Sequence, residues 1–116
     1  MKIRVCDSLE VARTVINLVD LPENIARECE VSSWSNCREQ GLHVNRYGTG
    51  DTDRAINVSQ CRSSDSIAVF WGKRRDFDNQ TNQETEEVYR NQSRYFRYDE
   101  THEAATFIAN FLKGEI

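Results

Sequence analysis

The chain has 116 residues, 38% of them hydrophobic and 29% charged, a balance that describes one globular domain (residues 1–116) rather than a disordered chain. Its formal net charge of -4 argues against binding extended nucleic acid or an anionic membrane, because both call for a basic field. No apolar run approaches the ~20 residues that span a bilayer, and Met1 to Asp7 lacks the apolar stretch of a signal peptide, so the expected location is the cytoplasm.

Taken in order, Lys2 to Cys6 alternates polar and apolar residues as a strand does, with Ile3 and Val5 on one face. Asp7 stands where a helix cap is expected, with Glu10 three residues on. Leu9, Ala12, Val15, Ile16 and Val19 then form one stripe at helical spacing. Pro22 ends that helix and opens a short second turn through Arg27, with proline at its first position. Glu28 to Trp34 reads as a strand. Leu42 to Tyr47 alternates again, Leu42, Val44 and Arg46 facing one way and His43, Asn45 and Tyr47 the other, so the two segments pair as an antiparallel hairpin with a long polar connection. Gly48 to Asp53 is rich in turn formers. Ala55 to Ser59 reads as a short strand using Ile56 and Val58, and Gln60 to Asp65 as a polar turn.

Ser66-Ile67-Ala68-Val69-Phe70-Trp71-Gly72 reads as the central strand, buried on both faces, because it is a short apolar run ended by glycine. Lys73 to Asp78 follows it as a charged loop. Asn79 to Gln83 is the most polar stretch of the chain, and Glu84 to Asn91 has the composition of a short exposed helix. Arg94 to Tyr98 reads as the last strand, with Tyr95 and Arg97 on one face and Arg94, Phe96 and Tyr98 on the other. Asp99 or Thr101 caps a final helix striped by Ala104, Ala105, Phe107, Ile108, Phe111 and Leu112, with Gly114 at its end. The fold class expected from this outline is α+β: a mostly antiparallel sheet of four or five strands with two amphipathic helices on one face.

The cysteines Cys6, Cys29, Cys37 and Cys61 form no Cys-x-x-Cys pair, so neither a zinc ribbon nor a thioredoxin-type site is expected, and they read as small buried hydrophobes. The sequons at Asn57, Asn79 and Asn91 read as chance matches in a chain rich in Asn, Ser and Thr. No phosphate-binding loop, dinucleotide fingerprint or zinc-protease motif occurs, no Ser or Cys signature frames His43 or His102, and no metal or cofactor is expected.

The residues best suited to recognition cluster after the Ser66–Gly72 strand. Arg74 and Arg75 offer planar forks for phosphate. Asp76 and Asp78 can accept hydrogen bonds from ribose hydroxyls, and Trp71 and Phe77 offer faces for a base. The plainer reading of the same loop is mutual salt bridging at the surface. Arg94 and Arg97 repeat the pairing of arginine with aromatics on the last strand, where the plainer reading is a core strand with snorkelling arginines. The ligand these residues fit is a small nucleotide-type anion.

In size, layout and arginine and aromatic content, the half of the chain from Ser66–Gly72 through Tyr95-Phe96-Arg97-Tyr98 to the last helix resembles the Thoeris anti-defence sponges, small phage proteins that sequester cyclic ADP-ribose-type signals and so block bacterial immune signalling. That resemblance implies a non-catalytic homo-oligomer with ligand sites between protomers, acting in the host cytoplasm. No single motif carries it, and no contact residue is transferred. The alternative expectation is a protein-binding inhibitor or immunity-type domain whose acidic balance and aromatics such as Trp34 and Tyr89 meet a basic partner. A third is a small hydrolase or nuclease using His43 or His102 with a carboxylate.

Overall fold

A computed structural model describes residues 10–35, 39–47, 53–61, 66–73 and 92–115. The strand expected at Lys2 to Cys6, the Asp7 cap, the loop Arg74 to Asp78 and the helix expected from Glu84 lie outside the described residues. The described elements are helices α1 (Glu10–Leu18) and α2 (Glu23–Ala26), strands β1 (Cys29–Ser35), β2 (Glu39–Arg46), β3 (Arg54–Cys61), β4 (Ser66–Lys73) and β5 (Ser93–Arg97), and helix α3 (Thr101–Lys113). The strands form one antiparallel sheet in the order β1-β2-β3-β4-β5, so each pairs with its neighbour in sequence, as the α+β expectation required.

Strand alternation puts one set of side chains under the helices. Register lines these residues up in rows across the sheet: Leu42, Val58, Val69 and Arg94; then Val31, Val44, Ile56 and Trp71; then Gln60, Ile67 and Phe96. The helices close this face. Ala12 and Val15 of α1 and Ala104, Ala105, Ile108, Phe111 and Leu112 of α3 join the sheet residues in one core. Gln60 is buried inside the strand and does not begin a turn. Its Oε1 accepts the Ala12 N–H at 3.1 Å, a buried bond that ties β3 to α1. That long-range use of the amide is why β3 runs on to Cys61.

Helix α3 is finished differently at its two ends. Gly114 adopts a left-handed φ of 88°, and the Gly114 and Glu115 N–H groups donate back to Phe111 and Asn110 carbonyls. Two arginines opposite each other in register, Arg46 and Arg54, donate to the carbonyls of Leu112 and Phe111. Their charge suits the negative end of the helix, and the shared acceptor region relieves the like-charge pairing. At the other end the cap residue is Glu100, in place of the Asp99 or Thr101 expected, and it makes no side-chain bond to the helix amides. Its carboxylate turns back to accept the Arg97 N–H at 2.9 Å, while Asp99 is occupied by the Arg97 guanidinium. At α2, Pro22 precedes the first helical residue, its carbonyl accepting from Ile25 and Ala26.

The expectation that Ser66–Gly72 is the central strand, buried on both faces, does not hold. β3 is central. On the face away from the helices its Ala55 and Ser59 are 3% and 2% exposed, matching Ile56 and Val58 on the other side. In β4, Ile67 and Val69 are buried, but Ala68 and Phe70 on the opposite face are only half-buried. In the sheet β3 has two strands on either side of it, whereas beyond β4 lies only the five-residue β5.

Candidate ligand-binding groove

Of the residues singled out for ligand binding, Trp71, Arg94 and Arg97 are described; Arg74, Arg75, Asp76, Phe77 and Asp78 lie outside the described residues. Strand alternation separates the two described arginines. Arg94 stands on the helix side of β5 beside Phe96, and Arg97 stands on the opposite side. Arg97 is also engaged: its guanidinium lies 3.3 Å from Asp99 and 3.5 Å from Glu100, and these carboxylates push its pKa above the usual arginine value.

Trp71 and Arg94 are brought together through α3. The Trp71 N–H donates to the Gln92 carbonyl at 3.0 Å, and the Gln92 side-chain amide donates to the Trp71 carbonyl at 2.9 Å, tying the end of β4 to the start of β5. The indole meets the Phe107 ring edge-on, with centroids 4.8 Å apart, and Phe107 lies 6.3 Å from Phe96. Over these rings sits the Arg94 guanidinium, 4.9 Å from the Phe96 centroid and 5.5 Å from that of Phe107. Cation–π attraction to two rings restricts its rotamers without using its hydrogen-bond donors. None of the ion pairs among the described residues uses Arg94.

Beside this cluster runs a groove of about 530 Å³, lined by Arg94, His102, Glu103, Thr106, Phe107 and Asn110. His102, Thr106 and Asn110 recur every four residues and so form one polar stripe of α3, with Glu103 and Phe107 alongside. The groove therefore offers a fixed cation, an aromatic wall and a ladder of hydrogen-bonding groups. Phe107, expected in the core stripe, is also a groove wall, and His102, expected as an ordinary surface or structural histidine, lies on it too; the four-residue polar repeat of His102, Thr106 and Asn110 is the signal in the sequence that marks this face.

The two histidines do not meet. His43 is on the sheet face away from the helices, its Nε2 3.0 Å from Asn45 Oδ1, while His102 is on α3. Among the described residues no group of three or more His, Cys, Asp or Glu is arranged to hold a metal, and no helix is long and apolar enough to cross a membrane. Cys29 is a free thiol whose Sγ donates to the Ile25 carbonyl. Burial pushes its pKa up, against a smaller opposing pull from Arg46.

A second, apolar cavity of about 170 Å³ lies at the other side of the molecule, between α1, α2 and the first two strands; Ile16, Val19, Leu21, Val31, Val44 and Ile108 are among its walls. No family model, curated protein or solved structure matches the chain.

Proposed function

We propose that the protein is a non-catalytic binder that captures a compact, nucleotide-type anion in the groove between β5 and α3. The observation that carries this reading is Arg94, held over Phe96 and Phe107 at the groove wall with no carboxylate among the described ion pairs. A guanidinium so placed loses little freedom when it grips phosphate, and its planar fork suits two oxygens at once. Phe107 presents aromatic surface to a base, and Glu103, Thr106 and Asn110 supply acceptors and donors for sugar hydroxyls and base edges. The groove volume falls in the ~300–1,000 Å³ range of small-molecule sites. A net charge of -4 favours such a ligand over a long polyanion. Together with the resemblance to anti-defence sponges, the reading is sequestration of a cyclic ADP-ribose-type signal, which would antagonise bacterial immune signalling.

The test is a thermal-shift and calorimetric screen with ADP-ribose, cyclic ADP-ribose and cyclic dinucleotides, since a ligand that binds only the folded chain raises its stability by mass action. At least one of them should raise the melting temperature of the native protein. Arg94→Ala should weaken that ligand at least tenfold, the value of about 1.5–3 kcal/mol for a charged hydrogen bond. The ligand should be recovered chemically unchanged. No stabilisation by any of these compounds at ~100 times a micromolar Kd, or equal affinity in Arg94→Ala, would refute the assignment.

A further inference from the structure

The opposite margin of the sheet carries an independent feature. Strand β1 pairs with β2 alone among the described strands, so one side of its seven-residue backbone has no ladder partner there. Edge strands are usually guarded by lysine, proline, bulges or shortness. β1 reads Cys-Glu-Val-Ser-Ser-Trp-Ser: its single carboxylate is Glu30, it has no lysine, arginine or proline, and it pairs with β2 in unbroken register over its whole length.

Immediately beside this edge is the apolar cavity of about 170 Å³. Val31 links the two. It belongs to β1, it is one of the cavity walls, and it is 42% exposed. The cavity is of the size that takes one branched or aromatic side chain; an engineered cavity of about 150 Å³ accepts benzene. An extended chain laid along β1 would turn alternate side chains toward the helix side, where the cavity opens. Unpaired edge backbone next to a side-chain pocket is the arrangement that recognition by strand addition uses.

Charge chooses the occupant. Asp20, between two cavity-lining residues, and Glu30, on β1, are both exposed, and no ion pair among the described residues uses either. Glu23 and Glu28 are already matched with Arg27 and Arg46. A second copy of the chain would bring the same two carboxylates, and a second charge of -4, against them. A cationic segment would be drawn in.

We propose that β1 takes up an extended segment of a partner protein as an added strand, with one large apolar side chain of that segment in the Ile16–Val19–Val31 cavity and lysine or arginine at neighbouring positions facing Glu30 and Asp20. This surface does not depend on the β5–α3 groove.

A displayed library of random nonapeptides, selected against the whole protein, tests it. Enriched sequences should share one Leu, Ile, Met or Phe with Lys or Arg at the adjacent positions, which face the Glu30 side of the strand, and should bind one to one. Methylating alternate backbone nitrogens along one edge of such a peptide should weaken it at least tenfold. Val31→Lys and, separately, Ser33→Pro should do the same while circular dichroism stays native, and Arg94→Ala should leave peptide binding unchanged. Three results would overturn the proposal: no enrichment over background; selected peptides that tolerate both N-methylation and Val31→Lys; or a concentration-dependent dimer in sedimentation that Val31→Lys abolishes, which would make a second copy the occupant.

Discussion

The two margins of this sheet are built from opposite materials. At β5 a short strand carries two arginines in five residues, and the adjoining groove pairs a guanidinium with aromatic rings and a polar helical stripe. At β1 a longer strand carries one carboxylate, and the adjoining cavity is walled by aliphatic side chains and the half-buried Cys29. One helix serves both: consecutive residues of α3, Phe107 and Ile108, line the groove and the cavity respectively. The contrast shows how a single amphipathic helix lying across a sheet can separate a polar groove from an apolar cavity by the angle of one residue step, about 100°.

The sharpest test of that separation is to truncate the two neighbours in turn. Ile108→Ala removes a fully buried side chain from the core and should cost about 2–5 kcal/mol, read by urea denaturation, while leaving nucleotide affinity in the folded fraction unchanged. Phe107→Ala should cost less, about 2 kcal/mol, because the ring is only partly buried, yet it should abolish the ligand-induced thermal shift. Equal effects of the two on ligand affinity would mean that the groove and the cavity are not separate sites.

The thiol gives a smaller and opposite contrast. Burial raises the Cys29 pKa in the folded chain, so the native state holds that proton more tightly than the unfolded state does. Its contribution to stability is complete below the ordinary thiol value of 9.0 and is lost as pH rises through the folded value. Alkylation of Cys29 in mildly alkaline buffer, followed on its own peptide by mass spectrometry, should be several-fold slower in the native protein than in denaturing urea. Smallest of all, Arg97→Ala should change neither nucleotide affinity nor the unfolding midpoint measurably, since that side chain is exposed and bound to surface carboxylates. A loss of affinity comparable to that of Arg94→Ala would place the ligand on the wrong face of the sheet.

Much of this layout was legible in the residues. Alternation in Leu42–Arg46 and Arg94–Tyr98 assigned faces correctly, and the stripes of α1 and α3 identified the core helices, because period-2 and period-3.6 patterns are local. What was not legible depended on neighbours. Ile67–Trp71 is more apolar than Ala55–Ser59, but burial on both faces comes from flanking strands, and small residues such as Ala55 and Ser59 disappear easily between them. Gln60 looked like a turn residue because its hydrogen-bond partner is Ala12, 48 residues earlier. Trp71 and Arg94 were singled out from composition. That both meet the Phe107 ring, and that Arg97 stands on the other face, required knowing which side of β5 the last helix covers.

The unequal finishing of α3 has a consequence for how the groove would respond to an occupant. Its carboxyl end is closed by Gly114, Arg46 and Arg54, but no side-chain bond caps its amino end, where His102 and Glu103 open the groove. Among the described residues no side chain takes the place of that cap, and the amides of a first turn so built can turn to solvent or to an anion. Hydrogen exchange should therefore be fastest at this end of the helix, and a bound phosphate should slow it there before anywhere else: the ligand would complete a cap that the chain itself does not supply.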